Sequence, residues 1–149
     1  MSAIPPRRWI GLSLVAAASL SSACGGGGGG SGGGSTAASE LGDWSIGTVA
    51  MSGDDSFLYE SARLRFSERP SQVQFSAQHG DTVYSWTGDY QKNADAITTG
   101  ELAEASDATD LVMLDLALVS DTSLTGTVTE TYPMNGGTVT GLGTIDATR

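Results

Sequence analysis

From residue 40 to residue 149 the chain alternates between apolar and polar side chains, in runs of about ten residues separated by turn residues. A period of two sends successive side chains to opposite faces of an extended strand and does not fit a helix. The run 72–79 is the plainest case: Val73, Phe75 and Ala77 face one way, and Gln74, Ser76 and Gln78 the other. In 111–120, Val112, Leu114, Leu116 and Leu118 oppose Asp115. In 57–67, Leu58, Ala62, Leu64 and Phe66 are expected inside and Arg63 and Arg65 outside. Leu124, Gly126 and Val128 face away from Thr125, Thr127, Thr129 and Thr131 in 123–132. Tyr84, Trp86 and Tyr90 share one face of 82–90. Further strands are expected at 44–52, 96–105 and 138–147, the phase of 96–105 being unsettled.

Turn signals punctuate these runs, among them Gly53-Asp54-Asp55, Glu68-Arg69-Pro70-Ser71, Gly80-Asp81 and Asp121-Thr122. Eight strands joined by short turns predict a consecutive antiparallel meander. Closing that meander removes both exposed edges. The expected fold is therefore all-β, an eight-stranded antiparallel up-and-down β-barrel. Gly47, Gly88, Gly100, Gly126, Gly141 and Gly143 fall inside the predicted strands, where they permit the coiling of a small barrel. The inward set is rich in Leu, Val and Phe, which predicts an interior filled by side chains.

The residues before the barrel read as an address. Arg7 and Arg8 precede a short apolar stretch from Trp9 to Leu20, too short to span a bilayer and of signal-peptide length. Ser21, Ser22 and Ala23 then lead into Cys24, the only cysteine. This resembles the bacterial lipoprotein cleavage box, which implies a signal peptide over 1–23, lipidation at Cys24 and attachment to a membrane through that lipid. Residues 24–39, the cysteine and the glycine-rich run after it, read as a tether, because a stretch without side chains cannot offset its ordering entropy. Residues 40–149 are the barrel domain.

Composition removes whole classes. Seven Lys and Arg stand against 17 Asp and Glu, a net charge of -10, and loss of residues 1–23 makes the balance more negative. That argues against nucleic acid, which needs a basic face, and favours a basic patch on any protein partner. One cysteine and one histidine leave no disulfide framework and no multi-cysteine or two-histidine metal site.

The glycine run after Cys24, followed by a small glycine-bearing barrel, resembles the surface lipoproteins related to transferrin-binding protein B and factor H-binding protein. Tyr90 followed by Ile97-Thr98-Thr99-Gly100-Glu101-Leu102 is similar to their barrel segments, as are Leu124-Thr125-Gly126-Thr127 and Val139-Thr140-Gly141-Leu142-Gly143-Thr144-Ile145. Ile145 stands where that family usually has Phe, and its handle domain has no counterpart here. The resemblance implies a protein-binding module anchored at the outer membrane or cell surface, with a host or envelope protein as partner, but not transferrin binding itself. Gly42-Asp43-Trp44, with Arg149 at the other end, is similar to the Gly-x-Trp of lipocalin-like barrels, which implies an Arg placed across that Trp and the alternative of a carrier for a small apolar ligand. A structural envelope lipoprotein is the third reading.

No catalytic constellation is legible. His79 reads as an exposed turn histidine, and no Gly-x-Ser-x-Gly elbow exists. Asp54, Asp55, Asp107 and Asp110 read as turn caps, not as calcium ligands. The expectation is a binding module, not an enzyme, with no cofactor and no metal. Tyr84, Trp86 and Tyr90 are the candidate binding residues if they face outward, and core if they face inward.

Overall fold

The computed structural model describes residues 38–149. The expected signal peptide, Cys24 and most of the tether lie outside the described residues. Every run of alternating residues forms a strand: β1 (Gly42–Gly53), β2 (Phe57–Glu68), β3 (Ser71–His79), β4 (Thr82–Asn93), β5 (Ala96–Thr99), β6 (Leu102–Glu104), β7 (Leu111–Ser120), β8 (Ser123–Met134) and β9 (Gly137–Thr148). Consecutive strands pair antiparallel except β5 and β6, which both lie between β4 and β7 as two halves of one stave. β1 pairs with β9, which closes an eight-stranded up-and-down barrel.

The apolar phase points inward. Leu64, Val73, Phe75, Trp86, Ile97, Leu102, Val112, Leu124, Val128 and Ile145 are buried in one continuous core. Arg63, Arg65, Gln74, Asp115 and Thr125 stand on the outer wall. This polarity is the reverse of a membrane-spanning barrel, whose lipid-facing positions are apolar.

Two departures from strict alternation have local causes. Leu58, expected inside, is 46% exposed, and Tyr59 is buried in its place. Between the pairs Gly47↔Ala62 and Val49↔Tyr59, β2 contributes one residue more than β1. That bulge slips the phase by one residue and so exchanges the two faces. Gly47 sits at this irregularity with φ of 80°, a conformation that favours glycine. The second departure is the unsettled run 96–105. Ile97 points inward in β5 but Leu102 and Glu104 do so in β6, because the strand breaks at Gly100-Glu101 and resumes in the other phase.

Close packing also needs glycines for their missing side chains, Gly53, Gly126 and Gly143 among them. A Cβ on Gly126 would collide with the backbone of Asp115 and Leu116 on β7. The connection between β8 and β9 is a two-residue turn, Asn135-Gly136, with positive φ at both positions, as type I′ geometry requires.

Candidate functional site at the open mouth of the barrel

The two ends of the barrel differ. One end carries the entering residues Ala38 to Leu41, the β7–β8 turn and Arg149. Here the Trp44 indole N–H donates to the Glu40 carbonyl at 2.6 Å. The Glu40 carboxylate is buried, and it accepts from the Tyr90 hydroxyl at 3.0 Å and from Lys92 Nζ at 2.7 Å. Burial opposes ionisation of Glu40, but Lys92, the backbone and Tyr90 together hold its carboxyl below the ordinary range. Burial of the Tyr90 ring, and then the same carboxylate, push Tyr90 up to about 12. Arg149 lies 4.5 Å over the Trp44 ring and donates to the carbonyls of Ser39, Leu41 and Asp121. The Arg-over-Trp contact implied by the Gly-x-Trp resemblance is therefore present, and Ala38 and Leu41 pack against the core behind it. This end is plugged.

The other end carries the turns at 54–56, 80–81, 105–110 and 135–136, and it is open. A cavity of about 240 Å³ lies there, lined by Asp55, Phe57, Tyr59, His79, Tyr84, Asp110, Glu130 and Tyr132. β8 places Glu130 and Tyr132 because both continue the inward phase of Leu124 and Val128. The phase slip in β2 turns Tyr59 inward opposite them. The Tyr59 hydroxyl donates to Glu130 Oε2 at 2.7 Å.

Asp110 comes from a loop that is itself braced. Glu104 Oε2 accepts from Ser106 N and Oγ and from Asp107 N at 2.6–2.7 Å, and these bonds, Ser106 first, keep its carboxyl below the usual range. Asp107 accepts from Thr109 N and Oγ1. The backbone of Glu104 donates to the Asp110 carbonyl at 3.0 Å. Asp110 Oδ1 then accepts from the Trp86 indole N–H at 3.0 Å.

Electrostatics follow from burial and from like charge. Burial pushes the Glu130 carboxyl up to about 7, with Asp110 adding to the shift and Tyr59 opposing it. Asp110 is raised for the same first reason, and Glu104 and Asp107 add to it. Tyr59 is held far above the usual tyrosine range by burial and by Glu130. Tyr132, buried in part and donating to Asp55 Oδ2 at 3.1 Å, is pushed up to about 12. His79 Nδ1 lies 2.8 Å from the Leu58 carbonyl, which can only accept, so Nδ1 carries the proton.

The aromatic residues singled out in the sequence divide between these places. Trp86 is fully buried and stacks on Phe75 at 5.4 Å, and Tyr90 is 7% exposed against Phe66 at the plugged end. They are core, and they form no outer stripe. Tyr84 is half-buried, stacks on Trp86 at 5.8 Å and lines the cavity. Sequence reasoning missed Glu130, Tyr132, Tyr59 and Asp110. A signal for Glu130 was present: an acid on the inward phase of an otherwise apolar strand. Among the described residues no group of three or more His, Cys, Asp or Glu side chains is arranged to hold a metal ion.

Fold and site together define a water-facing, closed β-barrel with a filled interior, one plugged end and one acidic, aromatic mouth. No family model matches the chain. No curated protein matches it either. A solved structure of a redesigned β-barrel is similar, with 21% identity and a TM-score of 0.51 over 73% of this chain and 90% of that one. At that identity the likeness concerns the fold alone.

Proposed function

We propose that the chain is a lipid-anchored binding module of the bacterial outer membrane or cell surface that meets its partner, a protein with a basic patch, at the open rim of the barrel and does no chemistry on it. One observation carries this reading: the interior is filled and the opposite end plugged, so the mouth is where buried aromatic and acidic groups reach solvent. The reading shifts the contact from an outer aromatic stripe to the rim turns, because Trp86 and Tyr90 point inward. An apolar-ligand carrier finds less support, since the cavity is smaller than the roughly 300 Å³ typical of ligand pockets and is lined by three acids. The test is partner capture by the purified protein and two sets of variants. Asp55→Asn and His79→Ala, on the rim, are expected to abolish capture, while Arg63→Ala and Gln74→Ala, on the outer wall, leave it intact. The opposite pattern refutes the rim. A stoichiometric lipid retained through purification, seen by native mass spectrometry, refutes the module in favour of the carrier.

A further inference from the structure

We propose that the mouth of the barrel binds a small organic cation, an alkylated ammonium group, with Asp55, Asp110 and Glu130 supplying the charge and Phe57, Tyr59, Tyr84 and Tyr132 the wall. The inference rests on the rim being the binding element and names the chemistry that the rim selects. Size comes first: about 240 Å³ admits a head group of several carbon atoms and not a drug-sized molecule.

The sign of the charge comes next. The groups facing Glu130 are Tyr59 from β2, His79 from β3, Tyr84 from β4, Asp110 from the loop before β7, and Tyr132 and Asp55 at the rim. No Lys or Arg lines the cavity. Three carboxyl groups thus face one imidazole. Asp110, by like charge, opposes the ionisation of Glu130, while a hydrogen bond from Glu130 favours the charged form of Asp110. A proton held between them relieves that repulsion, and so does a cation placed against them.

The walls decide which cation. A small hard ion such as calcium needs six or more oxygen ligands. Among the described residues no three acids are grouped to supply them, and four rings, Phe57, Tyr59, Tyr84 and Tyr132, line the cavity beside the carboxyl groups. Phe57 and Tyr59 lie edge to face at 5.0 Å, and Tyr59 and Tyr84 at 6.4 Å. A diffuse charge with a greasy surface is what such a wall attracts. A neutral sugar could stack there too, but it would leave the paired carboxyl groups uncompensated.

The experiment is calorimetric titration of the purified protein with choline and with 3,3-dimethylbutan-1-ol, the neutral carbon isostere of choline. At about pH 8, choline is expected to bind at least about tenfold more tightly than the alcohol. Lowering the pH to about 6 returns the proton to the carboxyl pair and weakens choline by up to about tenfold. Glu130→Gln is expected to weaken choline about tenfold and to flatten that pH dependence. Tyr84→Ala weakens it without changing the pH dependence, and Asp55→Asn, a rim change remote from the core, weakens it less. Arg63→Ala on the outer wall changes nothing. Equal binding of the alcohol, or choline binding indifferent to both Glu130→Gln and Tyr84→Ala, overturns the inference. If choline fails while protein capture still depends on the rim, the cation inference falls and the rim reading stands. Choline binding without rim-dependent capture has the reverse meaning.

Discussion

Replacing Glu130 by Gln should make the domain more stable above neutral pH, not less. Glu130 is 3% exposed, and its carboxyl is raised from 4.5 to about 7, chiefly by burial. Below about pH 4.5 the group is protonated folded and unfolded, and it costs nothing. As pH rises from there the unfolded chain releases the proton, while the folded chain keeps it until about pH 7. The folded state binds more protons across that window, so stability falls with rising pH. The gap corresponds to about 3 kcal/mol lost between pH ~4.5 and ~7. Asp110, also raised, adds to the loss. Glu40, Glu104 and Asp107 are lowered and act oppositely, but their window closes below the ordinary carboxylate range. Glutamine keeps an oxygen to accept the Tyr59 hydroxyl and offers an N–H to Asp110. Urea unfolding followed by the fluorescence of buried Trp44 and Trp86, at steps from about pH 5 to 8, reads the effect. The native protein should lose up to about 3 kcal/mol over that range, and the variant should lose distinctly less and be the more stable of the two at about pH 8. An unchanged slope, or a variant weaker at about pH 8, would refute the account of Glu130 as an acid confined by burial.

Four further outcomes are expected. Leu116→Asp puts a charge on a side chain that is 2% exposed and should prevent folding, whereas Asp115→Asn on the outer wall should shift the unfolding midpoint by less than about 0.5 kcal/mol in free energy. Gly126→Ala should destabilise by several kcal/mol, since its Cβ meets the β7 backbone, while Gly100→Ala, with nothing within 4 Å, should be nearly silent in the same melts. Arg149→Ala removes the guanidinium from Trp44 and from three carbonyls, and thermal melts should show a loss of about 1–2 kcal/mol. Cys24→Ser should move the protein from the membrane fraction to the soluble fraction; a variant that stays membrane-bound and still takes up acyl label refutes the lipid anchor.

The barrel was legible because its cause is local: Val73, Phe75 and Ala77 alternate with Gln74, Ser76 and Gln78 whatever the rest of the chain does. It became illegible where pairing between strands overrides the pattern. Leu58 reads as inward by counting back from Ala62, and only the extra residue of β2 against β1 shows that the count slips. The broken stave β5–β6 resisted a phase for the same reason. The mouth is a harder case. Glu130 could have been found as an acid among inward residues. Asp55, His79 and Asp110 could not, since each is an ordinary polar residue near a turn until three separate connections are brought to one end. Arg149 over Trp44 was anticipated from a three-residue resemblance and from no rule of spacing.

The pairing of β1 with β9 has a consequence in time. β1 finds its first neighbour in the next hairpin, but its second begins at Gly137, almost a hundred residues later. At roughly 5–20 residues per second, synthesis delivers that neighbour only after about 5–20 seconds. Through that interval the N-terminal sheet carries a free edge of unpaired N–H and C=O groups, which any other strand can occupy. The ring closes by its longest-range contact, the kind of step that places a topology among the slow folders. A machinery that holds the chain extended until β9 has been delivered would spare it that exposed edge.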